Sequence, residues 1–182
     1  MGFLFKIRYN TFGDIMYDLN YCPHCGTRLQ LQELENEGLI PYCKTCKDYR
    51  FPIFNAAVSM VCFNPTMDKV LLIQQYGRDT YILPAGYINK GEDAEDAVKR
   101  EIKEELGLTV TKAWFNRSHF FKPSETLMLN FSCVVSSEEV HENFEIDKYT
   151  WFSIEDAKKN IRPNSLAQQF LLGYFNKQYD FK

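Results

Sequence analysis

The apolar and polar positions change rhythm along the chain, and each rhythm predicts an element. Asn55-Ala-Ala-Val-Ser-Met-Val-Cys-Phe63 is short and almost continuously apolar, the composition of a buried strand. Asn64-Pro65-Thr66-Met67-Asp68 has turn chemistry, so Lys69-Val-Leu-Leu-Ile-Gln74 is expected to return as the second strand of a hairpin. Val98, Ile102 and Leu106 recur at i, i+4 in a stretch free of proline and glycine, which predicts an amphipathic helix from Asp93 to Leu106. Gly107 is placed to end it in a left-handed conformation. Val110–Phe121 and Thr126–Val135 read as further strands around Pro123, and Lys148–Phe152 as a short one. Ser153 and Asn164 have N-cap chemistry, and Leu166, Phe170 and Tyr174 form the apolar stripe of a last helix. Strands alternating with a few helices imply a layered α/β domain of the mixed, α+β kind.

Composition narrows the class. The chain has 182 residues, 45% of them apolar and 25% charged, enough to bury a core. The formal net charge of -3 provides no overall attraction for nucleic acid or an anionic membrane. Lys6, Arg8 and Asp14 interrupt the apolar N-terminal residues, and no apolar run approaches membrane-spanning length. These features predict a cytoplasmic protein without a membrane partner. Residues 1–20 form an N-terminal extension with no assigned role.

Four of the six cysteines stand in two pairs, Cys22-Pro-His-Cys25 and Cys43-Lys-Thr-Cys46, with 17 residues between them. Two such hooks present four thiolates, the ligand set of a structural zinc site. A segment as short as 21–51 lacks a core of its own, so Zn²⁺ is expected to supply its folding free energy. Arg28, Lys44, Lys47 and Arg50 are offset by Glu33, Glu35, Glu37 and Asp48, which argues against direct binding of RNA or DNA by this segment.

The same predicted helix carries Glu101, Glu104 and Glu105. At the α-helical repeat Glu105 lies about 40° from Glu101 on one side and Glu104 about 60° on the other. Three carboxylates beside a buried face repel one another unless a cation screens them, and oxygen ligands suit Mg²⁺ or Mn²⁺. The plainer alternative is a solvated face on which Glu101 pairs with Lys99 and Lys103.

Gly86-Tyr-Ile-Asn-Lys-Gly-Glu92, seven residues, then Arg100-Glu101-Ile102-Lys103-Glu104-Glu105-Leu106-Gly107-Leu108 span 23 residues and match the Nudix signature at every defined position. The chain resembles the Nudix hydrolases. The resemblance implies an α/β/α sandwich with a mixed sheet over residues 54–182, preceded by the zinc ribbon. It implies Glu101 and Glu105 as Mg²⁺ ligands, with Glu104 a ligand or water-mediated neighbour and the Ala85 carbonyl a further ligand. Arg100 is then expected to orient the carboxylates and Glu92 to pair with the helix. Glu138, Glu139, Glu142 and Glu145 offer a distal catalytic base, and Glu145 best resembles the family's. Tyr87 is the stacking residue the resemblance suggests, with Phe121 a second substrate contact.

A ribbon directly before such a domain resembles the NADH pyrophosphatase branch. Tyr49-Arg50-Phe51-Pro52, Leu127-Met128 and Arg162-Pro163-Asn164-Ser165-Leu166-Ala167 resemble segments of that branch. Its diagnostic motif is altered here to Ser118-His-Phe-Phe-Lys-Pro-Ser-Glu-Thr126, in which only Ser118 survives outright. The implied activity is hydrolysis of a small nucleoside-diphosphate-linked substrate such as NADH, ADP-ribose or FAD. Removal of a cap from RNA and a non-enzymatic nucleotide sensor stay open as alternatives. The resemblance also implies a homodimer.

Overall fold

The computed structural model describes residues 19–51, 53–141 and 143–176. The N-terminal extension therefore lies outside the described residues except for Leu19 and Asn20, as does Glu142. The chain divides into two compact units between Phe54 and Asn55.

The first unit is a three-stranded antiparallel sheet of β1 (Gln30–Leu34), β2 (Gly38–Cys43) and β3 (Asp48–Tyr49). The first cysteine hook closes by a Gly26 N–H donating to the Cys22 carbonyl at 2.8 Å. Gly26 has φ +70°, which a side chain would oppose. The unit's apolar interior is slight, with Cys22, Ile40, Pro41 and Cys43 the buried apolar residues among those described.

The second unit is built on a mixed sheet. Its path runs β7 (Val110–Phe121), β8 (Thr126–Val135), β4 (Asn55–Phe63), β5 (Lys69–Gln75) and β9 (Ile146–Ser153), with β6 (Ala85–Tyr87) also pairing with β4. β4 and β8 are parallel, and the other pairings are antiparallel. The expected hairpin exists, but β4 and β5 share only Cys62↔Leu71 and Phe63↔Val70. The rest of that edge of β4 is taken by β6, through Ala57↔Tyr87, Val58↔Gly86 and Ser59↔Ala85.

Alternation along β4 explains the layers. Met60 and Cys62 face one core, with Val98, Ile102 and Leu106 of helix α1 (Ala94–Leu106). Val61 and Phe63 face the other, with Ala157 of α2 (Ile154–Asn160) and Phe170 and Leu171 of α3 (Leu166–Phe175). Both sheet faces are covered by helices, the α/β/α sandwich expected. Asp93 stands at the N-cap of α1, so that helix begins one residue later than its apolar period suggests. Gly107 ends it at φ +69°, its N–H donating to the Lys103 carbonyl. Ser153 caps α2 as expected, accepting from the Asp156 N–H. The cap of α3 is Ser165 and not Asn164: the Ser165 hydroxyl accepts from Gln168 N–H, while Asn164 sits at φ +57° in the preceding turn.

Candidate active site and metal site

In the first unit Cys22, Cys25, Cys43 and Cys46 bring their sulfurs within 4.8 Å of one another. Cys25 Sγ lies 3.5 Å from both Cys43 Sγ and Cys46 Sγ, and Cys22 Sγ lies 3.9 Å from Cys46 Sγ. A tetrahedron with metal–sulfur bonds of about 2.3 Å has edges of about 3.8 Å, so the four thiols fit one divalent ion. Arg50 Nε donates to Cys22 Sγ at 3.3 Å while its Nη1 pairs with Asp48 at 2.5 Å. Against the desolvation of its sulfur, this contact and the backbone N–H groups of the hook hold Cys22 down to about 5. Arg50 thus favours the thiolate form that a metal requires.

In the second unit the segment before α1 and the helix itself meet at β6. Pairing with β4 places Gly86 against the middle of α1: a Cβ on Gly86 would lie 1.9 Å from the Glu101 carboxyl carbon. A side chain there would have to displace the Glu101 carboxylate. β6, with three residues, is too short to show a period in the sequence.

Arg100 organises the near side of the site. Its Nε donates to Glu92 Oε1 at 2.7 Å and its Nη2 to Glu92 Oε2 at 2.8 Å. Nη1 donates to Glu101 Oε1 at 2.7 Å and Glu104 Oε2 at 3.1 Å, and Nη2 to the Tyr87 carbonyl at 2.9 Å. Glu92 also accepts from the Asn89 N–H, and these donors hold its carboxyl down to about 2. The solvated pairing of Glu101 with Lys99 and Lys103 does not occur. Lys99 pairs with Asp96, and Lys103 donates to the Gly107 carbonyl.

Glu105 is the outlier of the cluster. It is 5% exposed, and its Oε2 has no hydrogen-bond partner. Gln75 Nε2 approaches its other oxygen at 3.5 Å. Burial, then the charges of Glu101 and Glu145, push its pKa up to about 8. An orphaned, buried acceptor beside further carboxylates is a cost that a bound cation removes, and the all-oxygen donor set fits a hard divalent ion.

Glu101, Glu104, Glu105 and Glu145 line one cavity of about 570 Å³ together with Ala85, Gly86, Tyr87 and Arg100. Glu145 reaches it because its loop docks on the C-terminal end of α1. His141 N–H donates to the Leu106 carbonyl, Asn143 N–H to the Glu105 carbonyl, and Glu145 N–H to Asn143 Oδ1. Glu138 instead bonds Lys69 and Asn64, and Glu139 lies near His141, so neither lines the cavity. Phe121 lines a second cavity, of about 460 Å³, with Arg162, Ser165 and Ala167, while its neighbour Phe120 is exposed. Ala85 and Met128 border both cavities. Gln75, Tyr76 and Asn143 were not singled out by their sequence context, although Tyr76-Gly77 is a turn-like pair after an apolar strand.

The NUDIX domain model matches residues 53–170. The chain belongs to the Nudix family. Curated relatives include proteins named NAD-capped RNA hydrolase NudC from Pseudomonas aeruginosa and Vibrio cholerae. The first is 32% identical over 83% of this chain and 54% of its own length. The second is 27% identical over 88% of this chain and 59% of its own. The chain thus spans little more than half the length of these relatives. A Nudix hydrolase from Nitrosomonas europaea has the same fold, with a TM-score of 0.64 at 18% identity, over 88% of this chain and 93% of that one. A Nudix-family hydrolase from Clostridium perfringens gives 0.57 at 22% identity, over 71% of this chain and 98% of that one. Among the described residues, no helix is long and apolar enough to cross a membrane.

Proposed function

We propose that this Nudix chain is a Mg²⁺-dependent pyrophosphohydrolase acting on a nucleoside-diphosphate-linked substrate of the NADH, ADP-ribose or FAD type. The observation that carries this reading is the orphaned Glu105 oxygen, buried among Glu101, Glu104 and Glu145 in an open cavity. Glu101, Glu105 and the Ala85 carbonyl would hold the cation. When bound, the ion neutralises phosphate charge and lowers the pKa of a coordinated water. Arg100 keeps the Glu101 and Glu104 carboxylates aimed at the cavity, and Glu92 fixes Arg100 from behind. Glu145, on a loop anchored to the end of α1, is positioned to take a proton from the attacking water. Tyr87, exposed at the cavity, offers an aromatic face to a base.

Zn²⁺ in the four-cysteine site has a structural role in this reading. Four protein ligands leave no open position for chemistry. The proposed domains are then a ribbon at 21–51 and a catalytic domain at 54–182, in a cytoplasmic protein whose second copy completes a homodimer.

The names of the NudC relatives favour a second substrate form, in which the same diphosphate joins a nicotinamide nucleotide to the 5′ end of RNA. Incubation with Mg²⁺ and equimolar NADH, ADP-ribose, FAD and NAD-capped RNA, followed by mass spectrometry, separates these. Nucleoside monophosphates that disappear with Glu105→Gln support the reading. Intact substrates throughout, with folded and metal-loaded protein, refute it.

A further inference from the structure

Tyr76 occupies a position its residue type disfavours. Tyr76 and Gly77 have φ +58° and +67°, and the Arg78 N–H donates back to the Gln75 carbonyl at 3.2 Å. Positive φ at both central residues makes this a type I′ turn, whose first central position favours asparagine or glycine. A bulky aromatic residue there is strained. Packing does not repay the strain, because Tyr76 is 73% exposed. The turn is nevertheless held firmly: Gly77 N–H donates to Asp147 Oδ2 at 2.6 Å, and the β5–β9 register shifts between Gln74 and Gln75 just before it.

The side chain held in this way lines the cavity that contains Glu101, Glu104, Glu105 and Glu145. A tyrosine phenol is neutral at working pH and can donate its proton in a hydrogen bond. Tyr76 thus brings an O–H donor to a cavity whose acidic members are Glu101, Glu104, Glu105 and Glu145. Strain retained without packing gain at the rim of a site is the pattern of a functional constraint.

We infer that Tyr76 is a substrate-binding residue whose hydroxyl donates a hydrogen bond to a non-bridging oxygen of the diphosphate; this rests on the pyrophosphohydrolase reading above. The Arg100 donors in the cavity are engaged by Glu92, Glu101, Glu104 and the Tyr87 carbonyl, so the Tyr76 hydroxyl is one of the few side-chain donors, with those of Tyr87, Asn89, Ser124, Thr126 and Asn143, that can serve the substrate's anionic oxygens. A hydrogen bond to a charged group implies a loss of about tenfold to a hundredfold in kcat/KM when the hydroxyl is removed. Because the contact is made equally before and during the reaction, the loss is expected in KM, with kcat within about twofold.

The test is steady-state kinetics and thermal unfolding of wild type, Tyr76→Phe and Tyr76→Asn, with Mg²⁺ and whichever substrate the wild type cleaves. Both variants are expected to raise KM about tenfold or more. Tyr76→Asn is expected at the same time to raise Tm by about 2–4 °C, because asparagine tolerates the turn. A wild-type KM for Tyr76→Phe with a raised KM for Tyr76→Asn would overturn the hydroxyl contact and assign the effect to the ring. A wild-type KM for both variants would overturn substrate contact altogether. A lowered Tm for Tyr76→Asn would make Tyr76 a structural turn residue. If the wild type itself cleaves no diphosphate substrate, the parent reading fails, and this inference with it, before any variant is compared.

Discussion

Gly86 and Glu101 are in direct apposition: the space a Cβ on Gly86 would need is occupied by the Glu101 carboxylate, 1.9 Å away at its carbon. The contact exists because β6 pairs with β4 and so lays its backbone across α1. Gly86→Ala must therefore displace Glu101 or separate β6 from the helix. A displacement of about 1 Å at a reacting centre costs on the order of 100-fold in rate. The expected outcome is a loss of that size in kcat with a modest change in Tm, measured by kinetics and calorimetry. Near wild-type kcat would show that Glu101 has no demanding geometry to lose.

Arg100 bridges Glu92, Glu101, Glu104 and the Tyr87 carbonyl through its planar fork. A lysine cannot reproduce that pattern. Arg100→Lys is expected to lose about tenfold or more in kcat/KM although the charge is retained. The Glu92 pKa, depressed to about 2 from the usual 4.5, adds a sign that can be checked. Its stabilisation is complete above the unfolded value and is lost as pH falls from about 4.5 through about 2. Glu92→Gln should therefore lower Tm at neutral pH and make the acid limb of the Tm–pH curve shallower.

Glu105 has the opposite sign. Its pKa is raised from 4.5 to about 8, so between these values the folded chain keeps a proton that the unfolded chain releases. Metal-free stability must fall as pH rises through that window. The difference in Tm between wild type and Glu105→Gln isolates this effect from other carboxylates. The variant should gain on the wild type as pH rises from about 5 to about 8, and Mg²⁺ should raise the wild-type Tm more at the alkaline end. Scanning fluorimetry checks both. A pH-independent difference would mean that Glu105 is ionised without metal.

The four cysteines predict one zinc ion per chain by elemental analysis. Cys43→Ser or a strong chelator should unfold the 21–51 segment, seen as loss of amide protection there. Catalytic constants of the chelator-treated protein, repleted with Mg²⁺, should change less than those of Glu105→Gln. A zinc requirement in the chemical step would contradict the structural role.

The repeating elements were legible in the sequence and the crossings were not. Val98, Ile102 and Leu106 announced α1, and alternate residues of β4 had the continuous apolar character of a strand covered on both faces. The parallel pairing of β4 with β8, by contrast, joins residues about seventy apart, and no local period encodes it. β6 is only three residues long and gave no pattern, yet it sets the Gly86–Glu101 contact. The carboxylates were legible because they share one helix. Tyr76 and Gln75 were not, since Tyr76 reaches the cavity through a turn whose type depends on φ and Gln75 approaches Glu105 from a strand end. Asn164 has capping chemistry, but its φ of +57° puts it in the turn before α3, and the Ser165 hydroxyl accepts the Gln168 N–H instead.

The most direct test of the central claim is the position of bond cleavage in NADH, followed by mass spectrometry in ¹⁸O-labelled water with Mg²⁺. Attack on the diphosphate predicts two nucleoside monophosphates, one of them carrying a single ¹⁸O, and their loss with Glu105→Gln. Release of nicotinamide with an intact diphosphate, or monophosphates formed equally by the Glu105 variant, would contradict it.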